Sequence, residues 1–299
     1  MTYSRNVDLW VAPRHFAQAL FVAFLWGVNT TAVKFGVEGF PPIMMIAMRL
    51  TLVALLLAPF ALRGTEGKFK YLFMLALVMG VATFSLFFSG LVGVDASVAA
   101  VILMLGVPFS TILAFLFLKD RPGPWRCLGL GIAFAGVVVI AGEPKTASNL
   151  GHVGLLIGSA FCWALGNVVA KKLGKVDIFW MTAWMALLAS PILWALTAAL
   201  ETGQMEALRT APWTAWSGLT FGVVGSSIVA YGLWYRLIKI YNVTKITPVT
   251  LTEPIFAFIA AWLLLSEAIG WEKILGAAIT TFGVAIIMFR WKSAPPVTD

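Results

Sequence analysis

Charge is what this chain has least of. Of its 299 residues only 11% are Asp, Glu, Lys or Arg, 13 acidic against 21 basic, while 61% are hydrophobic and the mean hydropathy is +0.93. That balance excludes an ordinary soluble globular domain. Cysteine and histidine are scarce as well. Cys127 and Cys162 lie in or at the edge of apolar runs without a pairing pattern, and His15 and His152 are isolated from each other, so neither a disulfide framework nor a metal site is indicated. Nucleotide signatures are missing too: Gly129 and Gly131 sit within an apolar run and lack the third glycine and the preceding strand of a dinucleotide fold. Long loops are absent, which leaves no room for a nucleotide-binding domain. ATP hydrolysis within this chain is thereby excluded and no bound cofactor is expected. Any uphill movement must draw on a gradient, with proton coupling left open.

What the chain has instead is apolar runs long enough to cross about 30 Å of hydrocarbon. They fall at about 17–36, 43–62, 71–92, 97–118, 124–142, 153–172, 179–200, 214–235, 246–265 and 273–291. The runs are continuously apolar, not alternating, so they predict helices and not barrel strands. The expected fold is therefore an all-α integral membrane protein with ten transmembrane helices. Basic residues gather at alternate turns: Arg14, Arg63, Lys68, Lys70, Lys119, Arg121, Lys171, Lys172, Arg236 and Lys239 share one side, whereas the other holds Lys34, Lys145, Arg209 and Lys273. By the positive-inside rule both termini are expected to be cytoplasmic. The net charge of +8 is thus spread two or three residues to a turn, and a nucleic-acid partner is not expected.

The chain also repeats itself. Phe24-Leu25-Trp26-Gly27 followed by Lys34 is echoed by Phe161-Cys162-Trp163-Ala164 followed by Lys171, the lysine standing eight residues after the tryptophan in both copies. Pro108, Asp120, Gly129 and Gly136 return as Pro254, Glu267, Gly276 and Gly283. Five helices per copy is an odd number, so the second copy must enter the membrane from the opposite face. The expected organisation is an N-terminal tail (1–16), a first five-helix repeat (17–142), a second, inverted repeat (153–291) and a C-terminal tail (292–299). Inverted repeats suit alternating access, with a site near the midplane where matched helices are interrupted. Pro108 and Pro254 mark such interruptions, since proline frees a carbonyl one turn earlier and lets a helix kink.

Arg49 and Glu253 lie several residues inside their spans, and each costs about 2.5–3.5 kcal/mol at the membrane centre. Either both face a central polar cavity, Arg49 meeting a substrate carboxylate and Glu253 a substrate ammonium or a proton, or the two form a fixed bridge between the halves. Trp26, Asn29, Thr30 and Thr31 give the first helix a polar and aromatic stripe, and Trp163 with Asn167 gives the sixth a similar one. Asparagine in hydrocarbon needs a partner, whether a neighbouring helix or a bound polar solute. Tyr231, Trp234 and Tyr235 can line the inner mouth or act as interfacial anchors. Lys34, Lys171 and Lys172 lie near span ends, where they can snorkel. Ser226 and Ser227 beside Gly225 suit close helix packing, and the small residues Gly129, Ala133, Gly136, Gly276, Thr280 and Gly283 suit contacts within or between chains. An intramembrane lipid-modifying enzyme would need paired acids or an acid beside a histidine at one interface. The acids here are single and scattered in depth, so no enzyme is expected.

These motifs resemble the EamA-type carriers of the drug/metabolite transporter superfamily. The likeness covers essentially the whole chain and rests on Leu25-Trp26-Gly27-Val28-Asn29 with Lys34, Pro41-Pro42 with Arg49, Pro108 with Leu118-Lys119-Asp120, Ala160 to Asn167, and Glu253-Pro254 with Leu264-Leu265-Ser266-Glu267. It is nearest to bacterial exporters of O-acetylserine and cysteine. Lys119-Asp120 departs from the family's usual Gly-Glu, and Glu253 is less general there than the proline beside it. The resemblance implies a multi-pass protein of the bacterial inner (plasma) membrane that exports small amphipathic metabolites, amino acids or their derivatives, by alternating access. Facilitated or exchange uptake is the alternative. The expected partners are a small-molecule substrate and membrane lipid, as a monomer or a homodimer.

Overall fold

The computed structural model describes residues 12–118, 123–143, 146, 149–174, 176–241 and 246–288. Most of the N-terminal tail, the whole of the C-terminal one, the Lys119-Asp120 pair and several turn residues used for orientation lie outside them. Among the described residues there is no strand. Ten apolar helices follow one another: α1 (Pro13–Gly39), α2 (Pro42–Leu56), α3 (Phe69–Gly93), α4 (Ala96–Phe117), α5 (Pro124–Ala141), α6 (Leu150–Lys172), α7 (Ile178–Leu200), α8 (Trp213–Ile240), α9 (Pro248–Leu265) and α10 (Trp271–Met288). Among the described residues nine are long and apolar enough to cross a membrane. The tenth, α2, has 15 residues and spans about 22 Å. The expected run 43–62 is cut because Pro59 has no N–H to give the Leu55 carbonyl, and one further turn, Ala58–Ala61, completes it. α1 begins at Pro13, ahead of the expected residue 17, with proline in the first turn where a missing N–H costs nothing.

The two halves exchange helices. α1 packs against α8 and α9, while α6 packs against α3 and α4; α2 pairs with α7 and α5 with α10. The α5–α10 seam shows why the glycines recur. A Cβ on Gly129 would stand 2.8 Å from the Gly283 carbonyl and one on Gly136 2.7 Å from the Gly276 carbonyl, with the reverse pairs equally close. These small residues therefore join the two halves within one chain.

Four helices leave α-geometry at matched places. α3 widens to a π-helix over Ala76–Thr83 and α8 over Gly222–Ala230. In each, a hydroxyl bonds the carbonyl five residues back, Thr83 Oγ1 to Val78 O at 2.9 Å and Ser227 Oγ to Gly222 O at 3.0 Å. α4 and α9 instead tighten just before their prolines. Pro108 leaves the Met104 carbonyl without its usual donor, and the Val107 N–H takes it at 3.1 Å; ahead of Pro254 the Glu253 N–H bonds Thr250 O in the same way, at the end of a 3₁₀ stretch over Thr247–Thr252.

The two ends of the bundle differ. At the Lys34 end, α1 packs on the second half of α3 and the first half of α4, which also meets α9. The equivalent pairs at the Lys171 end, α6 with the second half of α8 and α4 with the first turns of α9, have no packed counterpart among the described residues.

Candidate substrate site at the centre of the bundle

Arg49 is held from several sides. It is 4% exposed, and its Nη2 donates to Ser226 Oγ at 3.3 Å and Ser227 Oγ at 3.1 Å. One face of the guanidinium lies against Gly222, where an added Cβ would come 3.3 Å from Cζ, and Phe84 of α3 stands 5.9 Å away. The serines thus do more than allow close packing. They sit in the π-segment of α8, and they are the partners a mid-membrane arginine requires. Its Nε remains buried without a protein partner.

Glu253 opens the α-helical part of α9, is half-buried, and its carboxylate makes no hydrogen bond or ion pair among the described residues. The Arg49–Glu253 bridge is therefore not formed. The main chain at Glu253 packs so closely on α1 that a Cβ on Gly27 would lie 2.6 Å from its carbonyl. Tyr231 follows the two serines on α8 and meets Trp26 of α1, the residue next to Gly27. It lies one turn beyond Ser227 and is half-buried. Trp26 of α1 meets Tyr231 and Trp234 edge to face, each with centroids 5.5 Å apart. Arginine, phenol, carboxylate and two indoles thus come from α1, α2, α8 and α9.

Not every expected residue joins this group. Trp163 lies on the break in α4, where a Cβ on Gly106 would stand 2.7 Å from its ring. Asn167, one turn further along α6, is half-buried without a hydrogen bond among the described residues. No contact ties either to Trp26, Tyr231 or Arg49. Asn29 shares the Trp26 face of α1 and its Oδ1 is buried without a partner. Thr30 and Thr31 are 3% and 1% exposed, so they sit in helix contacts and line no open space. Pro108 and Pro254 are both buried, directly after the interruptions they cause.

Two features escape the sequence. Lys34 does not snorkel: its Nζ donates to the carbonyls of Leu91 (2.7 Å), Val92 (3.3 Å) and Val94 (3.1 Å), closing the C-terminus of α3. At the same end lies a buried charged cluster. Lys273, 1% exposed, bonds Asp95 at 2.6 Å with Glu143 at 3.5 Å, and Glu267 accepts from Ala96 N (2.6 Å), Ser97 N (3.2 Å) and Ser97 Oγ (2.6 Å) at the N-terminus of α4. Glu201 likewise receives Ile43 N and Met44 N at the start of α2, at 2.7 and 2.9 Å. Lysine and glutamate at a span end look like ordinary edge charges until their partners are known.

The comparisons with known proteins agree with this architecture. The EamA-like transporter family matches residues 16–142 and 151–289. A protein named "Probable amino-acid metabolite efflux pump" from Escherichia coli (strain K12) is 27% identical over 93% of this chain and 97% of its own. Its namesake from Salmonella typhimurium is 26% identical over 92% and 94%. The inner membrane transporter YedA of Escherichia coli is 23% identical over 90% of this chain and 89% of its own. A solved crystal structure, 15% identical, superposes with a TM-score of 0.61 over 92% of this chain and 96% of its own, which supports the fold alone. With its run of apolar spans, the chain is a multi-pass protein of the bacterial inner membrane, and it belongs to the EamA-like transporter family.

Proposed function

We propose that this transporter exports amino acids or close derivatives by alternating access around the Arg49–Tyr231–Glu253 group. The observation that carries the proposal is the pair of unmatched charges. Arg49 is fixed by Ser226 and Ser227 yet keeps a donor without a protein partner, and Glu253 has no cation of its own. A zwitterion supplies what both lack: a carboxylate for Arg49, through charge-assisted hydrogen bonds, and an ammonium for Glu253. Trp26 and Trp234 offer apolar and π surface to the side chain of the solute, including an aromatic one. Export is favoured over uptake by the relatives named as efflux pumps. The energy in this reading comes from a gradient, and Glu253 is the group that can carry a proton when no ammonium neutralises it. Transport by Arg49→Gln and Glu253→Gln in vesicles tests the assignment. Each is expected to lose at least about tenfold, the worth of one charge-assisted contact; normal rates in both variants would contradict it.

A further inference from the structure

The doubled Trp-to-Lys spacing gives each half a lysine at the far end of its first helix, and the two lysines are in different states. Lys34 holds three carbonyls at the end of α3. Lys171, its equivalent on α6, is exposed and bonds nothing among the described residues. Aligning the π-segments, Ala76–Thr83 with Gly222–Ala230, makes the end of α8 the counterpart of the end of α3. α1 is packed on α3 there, whereas among the described residues α6 is not packed on the end of α8. One half is closed at its lysine and the other is open.

We propose that Lys34 and Lys171 are alternating latches: when the open end closes, Lys171 takes the C-terminal carbonyls of α8 and Lys34 lets go of α3. Both ends offer the same acceptors; α8 also carries Lys239 in its last turn, but its ammonium lies over the Tyr235 ring, 4.1 Å from the centroid. The last carbonyls of a helix have no intrahelical donor and carry the negative end of its dipole, so an ammonium brought to them by a closing helix rewards closure and nothing else. A permanently bonded pair would hold both ends shut, and a pair that never bonds would favour neither state. With one latch made and one free, the two states are separated by little more than the difference between their caps, as a reversible carrier requires. The inference rests on alternating access for this chain and adds to it which side chains stabilise each state.

The test is a distance measurement between spin labels, in a background with Cys127 and Cys162 replaced by serine. One pair, at Glu38 and Val92, reports the Lys34 end; another, at Lys172 and Ile240, reports the Lys171 end. Two populations are expected at each end. Lys34→Gln should shift their ratio by about tenfold towards an open Lys34 end, the effect of losing one charge-assisted cap. Lys171→Gln should shift it by about as much the other way. Lys34→Arg and Lys171→Arg, which still cap, should stay near the parent protein. Lys171→Gln removes no contact in the described state, so it reports even where Lys34→Gln folds poorly. Two populations that neither glutamine variant moves, or that both move in the same direction, would overturn the latch and leave alternating access standing. A single population at both ends in every protein would overturn both.

Discussion

Arg49 shows how a charge is kept inside a membrane helix bundle. Its insertion costs about 2.5–3.5 kcal/mol, and the offset comes from two serine hydroxyls, a flat seat on Gly222 and the face of Phe84. Removing the hydroxyls should expose how much they matter. Ser226→Ala with Ser227→Ala leaves Nη2 buried without an acceptor, and the expected loss is about 1–3 kcal/mol of stability, read as a lowered Tm in detergent, together with weaker transport. Unchanged stability would mean that Arg49 finds other partners. The depth of Arg49 and Glu253 is legible in the sequence, because a lone charge in an apolar run has few explanations. The identity of their partners is not. Ser226 and Ser227 look like packing residues beside Gly225, and what turns them towards α2 is a π-widening to which hydrophobic periodicity is blind. Likewise nothing local separates an arginine that pairs with Glu253 from one that does not.

At the scale of elements, departures from regular helix come in matched pairs. The proline breaks in α4 and α9 follow from the missing N–H and are legible at Pro108 and Pro254. The π-segments of α3 and α8 carry no such mark, since Thr83 and Ser227 are ordinary residues whose hydroxyls reach back five positions. The α5–α10 seam is partly legible: the recurrence of Gly129, Gly136, Gly276 and Gly283 shows that small residues are needed, but spacing alone does not say whether the partner is the same chain. The structure answers with paired approaches of 2.7 and 2.8 Å. Gly136→Ile forces a branched side chain against the Gly276 carbonyl, and a destabilisation of at least about 1–3 kcal/mol is expected, measured by thermal unfolding. Because the seam is internal, the variant's oligomeric state should match that of the parent. A change in oligomeric state without loss of Tm would place the seam between chains instead.

The whole molecule is an asymmetric reading of a symmetric plan. Counting helices makes an inverted duplication the expectation, and the family model matches both halves. Which end is closed is not legible, because both halves carry the same Trp-to-Lys spacing and only packing tells them apart. The closed end is held by caps and charges at Lys34, Glu201, Glu267 and the Asp95–Lys273 pair, whereas the opposite end shows the Trp180 and Trp184 indoles on the Gly64 carbonyl at 2.9 and 3.0 Å, the Asp177 cap of α7 and cations lying over aromatic rings, such as Lys239 over Tyr235. The most direct measurement is a ligand-shift thermostability series on the purified protein: α-amino acids beside the matching amines without carboxylate and the matching acids without amine. Amino acids should raise Tm, neither truncated form should do so comparably, and the shift should be lost in Arg49→Gln. Stabilisation by a ligand lacking both groups, or by none of the amino acids, would contradict it.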